Sequence, residues 1–370
     1  MRALTILFLL LSVLTVSCTE TDLSGPSSND FDRQAMLENW ADNIIIPSYE
    51  AFSGHMATLH ADAEAFTTTP NQTTLDQLRN SWETAYLSWQ NVSQFEIGTA
   101  AQIRYRDNMN IYPVNTTELE KNIADGSYNL SLPAENDRQG FPALDYLLFG
   151  LSTNDGDILD YYTTHQNADG YKTYLLAVTE RMKGLTDTVL DSWKAGYREE
   201  FVQNSGNGAN SSVDMMVNDY VFYYEKVLRA GKIGIPAGVF SGSPLPTHVE
   251  AYYNQELSKA LALEAIDAAQ AFFNGEYFDG NGSGESLKSY LDFLNTMKEG
   301  ADLSNRINTQ FESARSQANS LSSNFRVQIN TDNSAMLSTY DQLQRNVVFL
   351  KVDMLQALNI NVDYIDADGD

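Results

Sequence analysis

The apolar residues of this chain recur at steps of three and four. Ile45, Tyr49, Phe52, Met56, Leu59, Ala63 and Phe66 form one such stripe. Leu75, Leu78, Trp82, Ala85, Trp89 and Val92 form a second, and Met336, Tyr340, Leu343, Val347, Leu350, Met354 and Ala357 a third near the C-terminus. At 3.6 residues per turn these spacings put each set on one face of a helix, and such a face has to be buried against another. A fourth helix, rich in Ala and Leu, is predicted from about Pro246 to Asn274. Further helices are predicted near 170–203, 213–231, 285–299 and 301–325. Strand signals are scarce, because β-prone pieces such as Val239-Phe240 lie between glycines and prolines. The expected fold class is all-α, with antiparallel helices packed as bundles.

The chain opens with Met1-Arg2, an apolar run from Ala3 to Val16, and Ser17-Cys18. A basic start, a short apolar stretch and a small residue before the boundary read as a signal peptide over residues 1–17. Cys18 is the only cysteine, so no internal disulfide is possible. Directly after a signal peptide it reads as a lipidation site, against the alternative of a free exported thiol. The usual leucine three residues before such a cysteine is replaced by Thr15, with Leu14 one step earlier. Residues 18–30 contain Gly25-Pro26-Ser27-Ser28-Asn29 and read as a flexible tether. The remainder has room for two domains. The polar loop Asn204–Ser212 lies near the middle, so the expected division is a bundle over 31–204 and another over 205–370. A second Gly-rich loop spans Asp279–Gly284.

The formal net charge is −26. Phosphate contacts need clustered Lys and Arg, so nucleic acid is excluded as a partner. An anionic membrane surface is disfavoured for the same reason, which leaves the lipid on Cys18 as the route to a membrane. An acidic exterior attracts cations and also aids solubility.

Two acidic residues stand out. Glu96 occupies the next step of the second stripe, where a carboxylate would face the core. Either it points into a cavity or the helix ends first, as Gly98 suggests, and leaves Glu96 at an exposed tip. Asp145 lies beside the apolar set Phe141, Leu144 and Leu148. Pro142 suits a first helical turn, so Asp145 either stabilises a helix start or lines a cleft. In the cleft reading both carboxylates share one pocket wall, with Arg104 or Arg106 to neutralise them. Two carboxylates without imidazole favour a hard divalent cation, iron or calcium, over zinc.

The histidines do not supply a zinc site locally. None of His55, His60, His165 and His248 lies three residues before an acidic residue, and there is no His-Glu-x-x-His. His60 and Glu64 are four apart, the usual spacing of a solvated pair. Asp363, Asp366, Asp368 and Asp370 resemble the opening of a calcium loop that lacks its later glutamate, and read as an acidic tail.

Gly140-Phe-Pro-Ala-Leu-Asp-Tyr-Leu-Leu-Phe-Gly150 resembles the signature of the imelysin-like family of exported bacterial helical proteins. In that signature a Gly-x-His-x-x-Glu stretch runs into Tyr-Leu-Leu-Phe-Gly. Pro142 stands at the His position here and Asp145 at the Glu position. Trp82-Glu-Thr-Ala-Tyr-Leu-Ser-Trp89, Phe95-Glu-Ile-Gly98, Asn110-Ile-Tyr-Pro113, Lys232-Ile-Gly-Ile-Pro-Ala-Gly238 and Pro244-Leu-Pro246 resemble other family segments in order. The resemblance implies two helical bundles with a cleft between or beside them. It places Gly140, Pro142 and Asp145 at that cleft, and with Glu96, Arg104 and Arg106 from the reading above they make up the candidate ligand-binding residues. Members include proteins assigned as metallopeptidases and proteins linked to bacterial iron uptake. Because Pro142 offers no donor or acceptor, the metal half-site of the signature is broken. The expectation is therefore a lipid-anchored protein of the bacterial envelope, at the outer membrane, binding a ligand or cation in an iron or haem uptake system. The alternatives are a metallopeptidase acting on envelope or host proteins and a helical adaptor that docks a partner protein.

Overall fold

A computed structural model describes residues 30–298 and 302–364. The signal peptide, Cys18, the tether up to residue 29 and the tail from Asp366 to Asp370 lie outside the described residues. The described chain is nearly all helical and contains no strand, only an isolated bridge between Glu276 and Ser283. No described helix is long and apolar enough to cross a membrane.

The stripes become the central helices. Ile46–Thr68 packs along Gln72–Val92 on one side and Ala168–Ser192 on the other. In the second half, Ser258–Asn274, Leu303–Asn319 and Phe325–Val347 pack in sequence, and the last also lies along the 223–234 turns. Each start has a local cause. Asn71 and Thr74 form a reciprocal capping box, and the side chains of Asp32, Asn115, Asn154, Ser211, Asp302 and Asn324 each accept from a first-turn amide. One such cap is worth about 1 kcal/mol, because it satisfies an amide that the helix itself cannot.

The helix predicted from Pro246 begins only at Ser258. Residues 246–248 form one 3-10 turn, and Ala251 and Gln255 take left-handed backbone angles (φ 54° and 70°) that a helix cannot contain. The periodicity of Ala and Leu does not register this break, which is imposed by contacts from the other half of the chain.

Buried apolar residues from Phe31 to Leu358 join in one contiguous core. Its densest part is aromatic. Tyr86 stacks on Phe141 (4.3 Å between centroids, 3° between planes), and Trp89 meets the edge of Tyr105. Such pairs add about 0.5–1.5 kcal/mol to the area that they bury. The helix Gln72–Val92 also packs on Ser258–Asn274, so the two halves meet through helix faces.

The first described residues also reach across. Phe31 stacks on Tyr290 at 4.1 Å. Buried Asn39 donates to the carbonyls of Gly275 and Glu285, at 3.0 and 3.1 Å. Asn39→Ala leaves those carbonyls without this donor at a helix end, and should cost about 1–3 kcal/mol in chemical denaturation. An unchanged denaturation midpoint would show that Asn39 holds nothing.

Candidate functional site

The second stripe does not run on to Glu96. The helix ends at Val92, Ser93 caps it, and Gly98 turns the chain with φ 56°. Glu96 nevertheless points inward, with 17% of its side chain exposed. It lines a groove of about 580 Å³ between the halves. Trp89, Arg106 and Tyr112 contribute from the first half, and Asp219, Phe222, Lys226, Lys232, Ile235 and His248 from the second.

Arg106 organises this groove. Its Nη2 lies 3.1 Å from Asp219 and its Nε 3.5 Å from Glu96, while Nε also donates to the Ser93 carbonyl at 2.8 Å. The backbone closes the same ring: Arg106 N donates to Glu96, and Glu96 N donates to Asp219. The guanidinium also sits 5.7 Å from the Phe222 ring centroid. One cation thus serves two carboxylates drawn from both halves. Burial pushes the Glu96 carboxyl up to about 7, with Arg106 opposing and Asp219 adding to the rise. Burial raises Asp219 as well, against the same arginine. Arg104 lines the groove but its charge goes elsewhere, to Asp107 at 2.6 Å on the exposed rim.

A second polar network reaches the groove. Lys232 and Glu250 form an ion pair at 2.5 Å, each only 2% exposed. Asn110 Nδ2 donates to Glu250 at 2.7 Å, and the Tyr86 hydroxyl donates to Asn110 at 2.7 Å. Burial lowers the Lys232 pKa, and Glu250 opposes that fall.

Asp145 is not beside Glu96 on the groove wall. It is 2% exposed, and its two oxygens accept from Tyr253 N and Asn254 N, each at 2.8 Å. Burial pushes it up to about 7 in spite of those two hydrogen bonds. The expected sharing of a cation by Glu96 and Asp145 is therefore corrected: the carboxylate that repels Glu96 is Asp219, and Asp145 is occupied by backbone. Gly140 and Pro142 are buried scaffold. Gly140 has φ 74°, and a Cβ there would stand 2.2 Å from the Met109 carbonyl oxygen. Pro142 sits in the first turn of the Gly140–Asp145 helix, as its missing N–H allows.

Sequence reasoning missed Asp219, Lys232 and Glu250. Lys232 and Glu250 are 18 residues apart and Arg106 and Asp219 are 113 apart, so no local spacing reveals them. The signal available was a charged residue inside an otherwise buried stretch, as at Lys232.

A family model described as Imelysin, Peptidase M75, matches residues 45–347. The chain belongs to the imelysin family. It is 22% identical over 116 residues to iron-regulated protein A of Synechococcus elongatus, covering 31% of this chain and 32% of that protein. The match thus spans about a third of that relative. Among solved structures, an iron-regulated protein A precursor from Parabacteroides distasonis has a TM-score of 0.71 at 17% identity, covering 90% of this chain and 97% of the other. An imelysin-like protein from Psychrobacter arcticum gives 0.69 at 16%, covering 92% and 99%. At these identities the two structures speak for the fold.

The peptidase label implies a catalytic metal, and the signature residues do not fit one. Pro142 has no ligand atom, and both Asp145 oxygens already accept backbone amides. Among the described residues no three His, Cys, Asp or Glu side chains are grouped to hold a metal ion. His60 bonds Thr179, His165 stacks on Tyr161, and His248 bonds Thr247.

The raised carboxyls set a pH dependence. Glu96 and Asp145 hold their protons more tightly folded than at their ordinary values of 4.5 and 3.8. Their contribution to stability is fully present below about pH 4 and is lost as pH rises through about 7. The denaturation midpoint should decline from about pH 4 to about pH 7, and Glu96→Gln and Asp145→Asn should each flatten that decline. Equal slopes in all three proteins would refute the assignment.

Proposed function

We propose that this imelysin-family protein is a lipid-anchored envelope protein that binds an iron complex of an organic chelator, haem included, in the groove between its halves. The observation that carries this reading is the groove's lining. Trp89, Tyr112, Phe222 and Ile235 supply apolar walls, while its Arg106, Glu96 and Asp219 already satisfy one another. Such a site suits an organic body with a few polar groups, and its volume lies in the usual range for small ligands, about 300–1,000 Å³. A chelator brings iron's ligands with it, so the groove needs none of the three-ligand clusters that the described residues lack. The iron connection rests on the names of the relatives, and the envelope location on the reading of residues 1–18. A peptidase reading is disfavoured by the occupied Asp145 and by Pro142.

Binding is testable by titrating the protein with a ferric hydroxamate, ferric citrate, haem, and bare ferric and calcium ions. Ile235 is 37% exposed, so Ile235→Glu should leave the fold intact while placing a charge on the apolar wall. It should weaken chelate binding at least tenfold, about 1.4 kcal/mol. Tight binding of a bare cation that survives Ile235→Glu would overturn the reading, as would EDTA-sensitive cleavage of protein substrates.

The anchor is tested separately. Cys18→Ser should move the protein from membranes to the soluble fraction, because the acyl chains supply the anchoring free energy. A variant that still sediments with membranes would remove the lipoprotein from the proposal.

A further inference from the structure

A second, open depression lies far from the groove in sequence, between the Ala168–Ser192 helix and residues 128–131. Its volume is about 440 Å³. Arg181 is on its wall. The Nε of Arg181 donates to Gln139 Oε1 at 2.6 Å and its Nη2 to Asn108 Oδ1 at 2.8 Å. Both acceptors are neutral amides. No carboxylate among the described residues forms an ion pair with Arg181, although Glu180 also lines the depression. Neighbours in sequence do not face each other on a helix, so Glu180 is poorly placed to pair with it. Burial alone perturbs the Arg181 pKa, pulling it down with no acid to oppose the change. In a chain with 49 acidic and 23 basic residues, a half-buried arginine left with neutral partners is unusual. Two amides hold the guanidinium in a fixed orientation, and of its five N–H donors several remain for a ligand.

A separate observation points to the same place. Gly184 sits one turn further along this helix and lines the same depression. A glycine inside a helix is destabilising relative to alanine. No close contact requires it here, because a Cβ at Gly184 would meet nothing within 4 Å. Gly184 is exposed, and the missing side chain leaves open surface beside Arg181. Leu130, Ala177, Leu185 and the Tyr128 ring give the wall an apolar part, beside the polar Asn129, Ser131, Glu180 and Thr188.

We propose that this depression is a binding site for a small carboxylate-bearing organic ligand. The carboxylate takes the remaining N–H donors of Arg181, and the apolar part lies over Gly184 against Leu185 and Tyr128. The fork of a guanidinium matches a carboxylate in two parallel hydrogen bonds, and the apolar wall favours an organic acid over an inorganic anion. This site is independent of the groove, so either can fail without the other.

The test uses the whole protein with benzoate, citrate and inorganic phosphate as probes, at ionic strength matched with sodium chloride. Titration calorimetry should show saturable binding of a carboxylate probe to the unaltered protein, tighter than phosphate. Gly184→Ala should bind it within twofold of the unaltered protein. Gly184→Glu places a tethered carboxylate at i+3 from Arg181 and should weaken the probe at least tenfold. Gly184→Glu should also melt higher than Gly184→Gln at low salt, although it adds a negative charge to an acidic protein. Arg181→Gln should lose binding, and the Gly184 variants keep the test valid if that protein fails to fold. Absence of saturable carboxylate binding would overturn the proposal. So would equal binding by Gly184→Ala and Gly184→Glu, or a Gly184→Glu protein that melts below Gly184→Gln.

Discussion

A buried carboxylate in the first half of the chain, Asp145, accepts two backbone amides from the second, and much of the junction between the halves follows from that contact. Tyr253 and Asn254 belong to a segment with two left-handed residues, Ala251 and Gln255, which has no regular structure of its own. Amides left unpaired against the buried Asp145 would cost up to about 1–3 kcal/mol each, less where water reaches these half-buried residues. Asp145 removes that cost for two of them and so fixes the segment in place. Glu250 is fixed with it, and Glu250 in turn holds Lys232 and Asn110 at the edge of the groove. The groove therefore takes part of its shape from a residue that does not line it.

The same contact explains what became of the family signature in this chain. In the resembling pattern a histidine and a glutamate stand three residues apart and can face one metal. Here Pro142 fills a first-turn position that needs no N–H, and Asp145, one methylene shorter than glutamate, is used up by backbone. Gly140 stays glycine for a reason unrelated to chemistry, since any side chain would collide with Met109. The scaffold of the motif is kept by packing and its ligand atoms are absent.

The helical architecture was legible in the sequence because it is written locally. Each stripe from Ile45 to Phe66, from Leu75 to Val92 and from Met336 to Ala357 became a buried face. Helix starts such as Asn71 with Thr74 are equally local. The site was legible only in part. Glu96 and Arg106 could be marked as charged residues near an apolar helix end, and the structure does bring them together in the groove. Asp219 and Glu250, the partners that complete the site, lie more than 100 residues away from Arg106 and Asn110, where spacing carries no information. The start of the helix at Ser258 was misplaced for the same reason: residues 249–257 look helical by composition and are held out of a helix by the other half of the chain.

The junction joins its halves with charge where apolar packing would have served for stability alone. Removing ions from water costs several kcal/mol each, and a well-packed apolar replacement is often as stable. Lys232 with Glu250, and Arg106 between Glu96 and Asp219, therefore contribute little net free energy relative to the aromatic core beside them. What they do contribute is register. Each ion accepts only partners at the right distance and angle, and a slip of one helix against another would leave a buried charge alone at a cost of about 3–5 kcal/mol. Apolar side chains such as Trp89 and Phe272 would tolerate such a slip far better. A groove whose walls come from both halves keeps its shape only if that register is kept. Charge at the junction is on this argument a requirement of the groove, while the stability of the molecule rests on the apolar faces of its helices.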